Sequence, residues 1–506
     1  MSLLRDVITD RRKLAFAVLL VLLLAGFVRF YHIGWSFSNN GIDEGIMLER
    51  SLMVNKGYRV YSELPVDQSP LGFIVGGLLW GDVVTLRIFS AMMSLLALAA
   101  CMEMARRIRG NFAMLVTGLL IALDFAFLRE SRTFSLNGIS ASLLAISALF
   151  FVIYVQKSDR AALVASGLLI GISASMKLFG VLSFIGMLAF MSVELMRDSK
   201  GRARRFGDTV LLAVSAAMPV CALLLALGPS QMIQGMLFDQ GHREYQLYVK
   251  LGMLAYFGTN LAYLLPLAYA RTLWKSGPEE RFLVCASVAV IGFMVLQPLT
   301  FYGHMVIATP LLAPLAGIFL SGLIDDKKDS QNVVSRKFDA KKWLTFRSAA
   351  LALLCVGLLV STGLAAYGLA VQGKPAQEVY SEKLRAFTGP GDWVVCGDPI
   401  VAAYAERQTP PSVVNVAFRM FPDLTLSALE SAVLDYNVSV VVLSYRLNSM
   451  EGFEEFLQQH NYSMIARDFI GHGAEPAINV FEPPLEPTTF YVRNDIVQRL
   501  GLPTEH

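Results

Sequence analysis

The sequence predicts an α-helical polytopic membrane protein of about eleven transmembrane helices that ends in an extracytoplasmic α/β domain. Three observations favour this fold class. The chain has 506 residues, of which 55% are hydrophobic and 16% charged, and its mean hydropathy is +0.53, whereas soluble domains carry about 25% charged residues. Long apolar runs recur as far as about residue 371. Beyond that point, short β-rich runs alternate with helical stretches.

The apolar runs set the predicted spans. Crossing about 30 Å of hydrocarbon at 1.5 Å per residue takes roughly 18 to 25 apolar residues. Runs of this kind lie at about 13–33, 85–105, 111–128, 138–156, 161–177, 179–196, 208–228, 251–271, 281–301, 305–323 and 348–371. The short pair around Lys177 could instead be one broken helix. The first run has no small-residue cleavage site, so we interpret it as a retained helix.

The distribution of basic residues predicts the orientation. Short cytosolic loops hold an excess of Lys and Arg, and every second predicted loop, starting from the N-terminus, is basic. The long first outer loop, residues 34–84, holds only Arg50, Lys56 and Arg59. We therefore expect a multi-pass protein of the cell membrane with a cytosolic N-terminus. Residues 1–372 would form the membrane domain, and residues 373–506 would lie on the extracytoplasmic side.

The C-terminal segment has the pattern of a small α/β unit. We expect strands at 393–396, 412–418 and 438–444, and helices at about 399–407, 425–436 and 450–460. Asp398 followed by Pro399 predicts a helix start, since an Asp N-cap and a proline at the first helical position both favour one.

Composition and motifs exclude several classes of function. The net charge of +3 argues against a nucleic-acid partner. The five cysteines offer no disulfide framework, because four lie in apolar spans. No zinc-type His/Cys spacing, phosphate-binding Gly-Lys-Ser/Thr loop or nucleophile elbow is present. A nucleotide-sugar donor is therefore not supported.

The first outer loop carries the residues best suited to chemistry. Asp43 and Glu44 are two adjacent carboxylates close to the predicted bilayer surface, and they are followed by Tyr61 and then Pro70-Leu71. Such a pair indicates acid/base chemistry at the lipid boundary. The alternative is an acidic pair on a solvated surface. Asp124, inside the third span, is interpreted as a structural partner of Arg129 or Arg132.

This segment resembles the first-loop signature of the GT-C class of integral membrane glycosyltransferases, particularly the branch of protein O-mannosyltransferases and aminoarabinose lipid A transferases. The other marks of that branch follow in order. They are the segments 132–137, from Arg132 to Asn137, 171–177, which ends in Lys177, and 302–304, which ends in His304. The resemblance covers roughly residues 10 to 325, and the ordered set is more specific than any single motif.

The resemblance implies a GT-C fold and transfer of a sugar from a dolichyl- or undecaprenyl-type phosphate donor, with inversion, on the extracytoplasmic face. The acceptor would be a hydroxyl of a protein, a lipid or a cell-envelope glycan. By similarity Asp43 is the general base that removes the proton of that hydroxyl, with Glu44 beside it. Glu44 could instead orient a neighbouring Arg or Lys.

The resemblance also implies a binding site for the donor phosphate, because a fixed cation stabilises the departing phosphate. Lys177, Arg132 and His304 are the candidates, with Tyr61 as a further donor contact. Lys177 could instead extend its charge to the membrane interface, and His304 could cap a helix. His242 and Arg243, in another outer loop, could reach the phosphate or belong to a solvated loop. Their sequence context favours the loop.

Metal dependence stays open. Many relatives carry a second Asp where this chain has Asn137, and hard cations favour carboxylate oxygens. A divalent cation, Mg²⁺ or Mn²⁺, would have Asp43 and Glu44 as its only obvious local ligands.

Two other classes of function compete with an enzyme. A transporter or flippase for lipid-linked sugars would need matching discontinuous helices and a site at the membrane midplane, and no two-fold repeat of hydropathy supports it. A non-catalytic binding subunit would keep the fold without the reaction, and Asn137 is the only hint of this.

Overall fold

The computed structural model describes residues 8–35, 37, 41–197, 201–238, 250–298, 300–324, 340–414, 425–444, 447–448, 450–468 and 488–503. Helices dominate up to residue 387, and a four-stranded sheet with short helices follows.

The helices up to residue 387 are α1 Arg11–Phe30, α2 Gly41–Asn55, α3 Leu71–Leu78, α4 Val83–Arg109, α5 Asn111–Leu123, α6 Phe125–Ser131, α7 Leu136–Lys157, α8 Arg160–Met176, α9 Gly180–Arg197, α10 Arg202–Leu227, α11 Pro229–Ile233, α12 Leu251–Thr259, α13 Leu264–Ala268, α14 Ala270–Ser276, α15 Pro278–Leu296, α16 Thr309–Ile324, α17 Ala340–Val371 and α18 Ala376–Phe387. A 3-10 helix, Tyr302–Ala308, leads into α16.

The protein is a multi-span membrane protein. Among the described residues, seven helices are long and apolar enough to cross a membrane, or nine if two bent pairs each count as one span. Every predicted span coincides with an apolar helix or a bent pair. Helix α8 has only 17 residues, and α15 begins with Glu279 and Glu280 in its first turn. The count of eleven therefore stays a prediction.

Two of the predicted straight spans are broken. Helices α5 and α6 meet at 61° on either side of Asp124, and α12 is bent by 97° against the segment 261–268 beyond Asn260. The Asp124 carboxylate caps α6 by accepting from the Phe127 N–H at 3.0 Å, and it also accepts from Tyr263 at 2.9 Å and Thr309 at 2.8 Å. The structure therefore pairs Asp124 with hydroxyls, and the arginine pairing expected from the sequence was wrong.

The two breaks lie next to each other. The Asn260 amide donates to Asp124 Oδ1 at 3.4 Å and to the Tyr256 carbonyl at 3.2 Å. Helix interruptions at membrane depth are tolerated where protein groups satisfy the freed backbone. The polar side chains at the two breaks are therefore hydrogen-bonded to each other.

The long loop after α1 is helical, which the sequence did not predict. Helix α2 begins with Asp43 and Glu44 in its first turn, where carboxylates complement the helix dipole. Ile46, Met47 and Leu48 on this helix are buried. Helix α2 therefore has an apolar face that needs a packing partner.

The segment after α18 supplies that partner. Its elements are β1 Val394–Cys396, α19 Pro399–Ala405, α20 Leu426–Asp435, β2 Val440–Leu443, α21 Phe453–Gln459, β3 Tyr462–Asp468, β4 Thr488–Arg493 and α22 Asn494–Leu500. The sheet order is β1-β2-β4-β3. Strands β1 and β2 are parallel, with Val394 opposite Val440, and the other pairs are antiparallel. The buried residues of α19 and of β2 share one hydrophobic cluster with α2.

The predictions for this segment succeed in part. The three expected helices are present as α19, α20 and α21, and Asp398 caps α19 through its side chain as expected. The expected strand at 412–418 is wrong at its start, because Pro411–Val413 forms a 3-10 turn, and residues 415–418 lie outside the described residues. Strands β3 and β4 were not predicted. The division into domains at residue 372 stays a prediction, although α17 ends at Val371.

Candidate active site

Asp43 lies in the first turn of α2 with its side chain exposed. None of the residues that the structure describes forms a hydrogen bond or ion pair with its carboxylate. Among the described residues, this carboxylate is therefore exposed and unpaired.

Glu44, the next residue, is buried and paired, in contrast to Asp43. It is 4% exposed, and its two oxygens accept from Arg87 Nε at 2.8 Å and Arg87 Nη2 at 2.7 Å. Oxygen Oε1 also accepts from the Phe134 N–H at 2.9 Å. Arg87, on α4, donates further to the carbonyls of Ile33 and Gly34. Glu44 thus attaches the first turn of α2 to α4 and to the connection between α6 and α7.

This geometry agrees with the alternative that Glu44 orients an arginine. A bidentate Arg–carboxylate pair with a further backbone donor is strong and fixed in orientation. A direct catalytic role for Glu44 stays a prediction.

The same contacts decide whether Glu44 can bind a metal ion. Both Glu44 oxygens are already in use, so this carboxylate does not fit a divalent cation unless the Arg87 pair breaks. In the described ranges, no group of three or more His, Cys, Asp or Glu side chains is placed to hold a metal. Asp43 and Glu44 therefore do not fit as joint ligands of Mg²⁺ or Mn²⁺.

Three of the predicted donor contacts come together at the end of α8. Lys177 Nζ donates to Gln68 Oε1 at 2.7 Å, and the Tyr61 hydroxyl donates to the Gln68 carbonyl at 2.6 Å. The Phe179 ring lies 5.8 Å from Lys177 Nζ and 4.9 Å from the His304 ring. We call Tyr61, Gln68, Lys177, Phe179 and His304 the lysine cluster.

Arg132 is held at a different place. It is buried, and its Nη1 and Nη2 atoms donate to the carbonyls of Val28, Arg29, Tyr31 and His32 at the end of α1. Nη2 also donates to Gln372 Oε1 at 2.8 Å. A cation at a helix C-terminus complements the dipole of the helix. Nε has no hydrogen-bond partner among the described groups. A role of Arg132 in donor binding stays a prediction.

His242 and Arg243 lie outside the described residues. Asn137 is described, and its Oδ1 atom is buried without a hydrogen-bond partner in the described part of the chain.

A buried acid lies beside Asn137. Glu130 is 3% exposed, accepts from the Ser135 hydroxyl, and lies 2.6 Å from where a Cβ on Gly303 would be. The 302–308 turn therefore approaches this carboxylate closely at Gly303.

Sequence reasoning missed four residues of this region. These are Gln68, Arg87, Glu130 and Tyr404, whose buried hydroxyl lies near Arg87 and Glu44. A signal existed for Arg87, because it lies just inside a predicted span, where an ionisable side chain needs a partner. Gln68 and Tyr404 carried no such signal.

Comparison with known proteins gives a match to a sequence family. Residues 78–222 match the family described as Dolichyl-phosphate-mannose-protein mannosyltransferase, which is less than half of the chain. No curated protein matches the sequence significantly.

Solved structures match over nearly the whole chain. ArnT from Cupriavidus metallidurans bound to undecaprenyl phosphate is similar with a TM-score of 0.63 and 14% identity, over 94% of this chain and 97% of that one. The Archaeoglobus fulgidus oligosaccharyltransferase in complex with Zn and sulfate gives 0.53 and 16%, over 89% and 72%. AglB from Archaeoglobus fulgidus with an inhibitory peptide and a dolichol-phosphate gives 0.52 and 14%, over 94% and 75%.

At identities this low, the structural similarity establishes the fold alone. It confirms the resemblance in fold that the motifs indicated. The protein therefore has the fold of the GT-C glycosyltransferases, and its residues 78–222 carry the sequence pattern of the Dolichyl-phosphate-mannose-protein mannosyltransferase family.

Proposed function

We propose that this protein transfers a sugar from a polyprenyl-phosphate donor to an acceptor hydroxyl at the extracytoplasmic face of the membrane, with inversion at the anomeric carbon. One observation carries the proposal. An exposed carboxylate, Asp43, lies beside a buried carboxylate, Glu44, that fixes its helix to the membrane bundle. The fold, and the polyprenyl phosphates bound to ArnT and AglB, support the donor class.

In the proposed reaction Asp43 is the general base. It accepts the proton of the acceptor hydroxyl while the hydroxyl oxygen forms a bond to the anomeric carbon. The bond from that carbon to the phosphate oxygen breaks, and its electron pair leaves with the polyprenyl phosphate. Attack from the face opposite the phosphate inverts the configuration.

The lysine cluster is the proposed site of the leaving phosphate. Lys177 carries a positive charge at the end of a membrane helix and is already aligned by Gln68. A charge held in place before the reaction stabilises the phosphate as its negative charge develops. Tyr61 and His304 lie beside it and can donate hydrogen bonds to phosphate or sugar oxygens.

The proposed proton transfer uses Asp43 without a metal ion bridging the acidic pair. An Archaeoglobus fulgidus relative in fold was solved with Zn and sulfate, whereas here Glu44 is occupied by Arg87. We therefore assign no step to a cation held jointly by Asp43 and Glu44, and we derive the proton transfer from Asp43 itself.

A reconstituted assay tests the function. Purified protein in sealed vesicles is given radiolabelled hexose or pentose on undecaprenyl or dolichyl phosphate. Cell-envelope extract from cells that lack the gene supplies the acceptors. Label should move onto a protein, lipid or glycan in the extract.

The same assay separates the competing functions. Label that crosses the vesicle membrane while still attached to its carrier would indicate a transporter and contradict the proposal. Donor binding with neither transfer nor crossing would indicate a binding subunit. Vesicles without protein are the control.

A further inference from the structure

The segment after the last membrane helix contacts the helix that carries Asp43. Gly45 on α2 lies against α19 so closely that a Cβ on Gly45 would be 2.6 Å from the Ile400 backbone nitrogen. Ile46 and Met47 share a buried apolar cluster with Ile400 and Val401. Helix α19 therefore packs directly on the first turns of α2.

Tyr404, at the other end of α19, reaches the ion pair behind Asp43. Its hydroxyl is buried, without a well-aligned hydrogen bond among the described groups. Burial raises the pKa of Tyr404, while the nearby Arg87 lowers it and Glu44 raises it. The neutral hydroxyl thus lies beside both charges of the Arg87–Glu44 pair.

Two more contacts attach the same segment near the site. Glu49, one turn further along α2, is fully buried beside Thr409. Gln372, directly after α17, accepts from Arg132 at 2.8 Å. Helix α2 is therefore enclosed between the membrane helices on one side and the C-terminal segment on the other.

We propose that Tyr404 is a positioning residue for the transfer reaction, which acts through the Arg87–Glu44 pair to fix the first turn of α2 and with it Asp43. This inference rests on the proposed function. It assigns the C-terminal segment a part in the reaction that is separate from any contact with the acceptor. The side chain of Tyr404 need not touch the substrate.

The physical reason is the sensitivity of proton transfer to geometry. A misplacement of about 1 Å at a reacting group can cost about 100-fold in rate. Without the Tyr404 hydroxyl, Arg87 loses a polar neighbour on the side that faces α19. The bidentate pair can then shift, and the first turn of α2 shifts with it.

The test compares Tyr404→Phe with Tyr462→Phe in the full-length protein. Tyr462 is a matched control, because it is a buried tyrosine of the same segment whose hydroxyl donates to the Val438 carbonyl. For Tyr404→Phe we expect kcat to fall about 10-fold, with the donor KM unchanged. Tyr462→Phe should keep wild-type kcat. Equal kcat values in the two variants would overturn the proposal.

A double-mutant cycle with Glu44→Gln separates positioning from a general loss of stability. If Tyr404 acts through the pair, adding Tyr404→Phe to Glu44→Gln should lower kcat less than about 2-fold further, because coupled residues are not additive. Losses that multiply in full would show that Tyr404 acts by another route and would contradict the inference.

A measurement without turnover separates this inference from the proposed function. Backbone amides 43–47 should exchange with deuterium faster in Tyr404→Phe than in Tyr462→Phe. Unchanged exchange would refute the positioning role even in an active enzyme. Absence of sugar transfer by the wild-type protein would instead refute the proposed function, and the exchange result would still decide whether Tyr404 fixes α2.

Discussion

Asp43 and Glu44 are adjacent in the sequence, but a helix turns their side chains about 100° apart. One side chain is exposed, and the other is buried against Arg87. We propose that this divides the acidic pair into one group that takes part in the reaction and one that supports it. Removing the carboxylate of Asp43 should therefore have a different consequence from removing that of Glu44.

Asp43→Asn should abolish sugar transfer and leave the fold intact. The amide has nearly the shape of the carboxylate but cannot accept the proton, and loss of a general base typically costs roughly 10²–10⁴-fold in rate. Initial rates in vesicles check this, with Glu63→Gln on the same loop as the control. Near-normal turnover by Asp43→Asn would remove the assignment of the base.

Lys177→Ala should weaken donor binding more than it affects the fold. The lysine is partly exposed, and it donates to the neutral amide of Gln68, so few structural contacts are lost. Calorimetric titration with undecaprenyl phosphate should give about a 10-fold weaker Kd, in line with one charge-assisted hydrogen bond. Lys56→Ala in the first loop is the control. An unchanged affinity would place the phosphate elsewhere.

At the scale of elements, the packing of α2 on α19 buries an acid that has no cation to neutralise it among the described residues. Glu49 is fully buried, and neither of its oxygens has a well-aligned hydrogen bond in that part of the chain. Burial raises the pKa of Glu49 to about 8, against smaller lowering contributions from Thr409. The carboxyl group is therefore protonated in the folded protein at neutral pH.

This burial predicts a dependence of stability on pH. In the unfolded chain Glu49 loses its proton near the ordinary glutamate pKa of 4.5, while the folded protein keeps it until about pH 8. The contribution of Glu49 to the free energy of unfolding therefore falls as the pH rises from about 4.5 to 8, and it changes little above pH 8. Glu49→Gln should flatten the decline in Tm across that window.

Thermal unfolding at several pH values checks the Glu49 prediction. Glu63→Gln is the matched control, because Glu63 is an exposed acid of the same loop. The slope of Tm against pH for Glu63→Gln should equal that of the wild type. If Glu49→Gln shows the same slope as Glu63→Gln, the buried acid does not titrate as stated.

Sequence patterns predict elements well where burial follows from composition. All the predicted spans lie on apolar helices, because a hydrocarbon environment requires long apolar runs. The breaks at Asp124 and Asn260 were not predictable in the same way, since the partners that satisfy these polar side chains, such as Tyr263 and Thr309 for Asp124, lie far away in the sequence. Helix α2 was missed because its buried face is covered by α19, which lies far away in the sequence.

The residues of the candidate site also divide into those that a sequence motif predicts and those that only packing brings together. The motif predicted Asp43, Glu44 and Lys177 as candidates from residue types in order. It could not identify Arg87 or Tyr404 as their support, because these residues meet Glu44 only after α4 and α19 have packed around α2. The expected strand at 412–418 failed where consecutive prolines at 410 and 411 favour a 3-10 turn over a strand.

At the scale of the whole molecule, cysteine labelling tests the orientation in the membrane. Gln459→Cys, at the exposed end of α21, should react with a membrane-impermeant maleimide in intact cells, since we propose that the C-terminal segment is extracytoplasmic. Lys157→Cys, at the exposed end of α7, should react only after permeabilisation. The wild-type chain, with its own five cysteines, gives the background. The reverse labelling pattern would place the site in the cytosol.

The contacts of Arg132 have a consequence for the integrity of the bundle. This guanidinium gathers the carbonyls that end α1 and the Gln372 amide that follows α17, so a residue from the middle of the membrane region joins the first and last membrane helices. A chain cut before Gln372 would leave the buried Arg132 without one of its acceptors. We therefore expect loss of Gln372 to weaken the attachment of α1 as well, although nearly the whole membrane region separates the two in sequence.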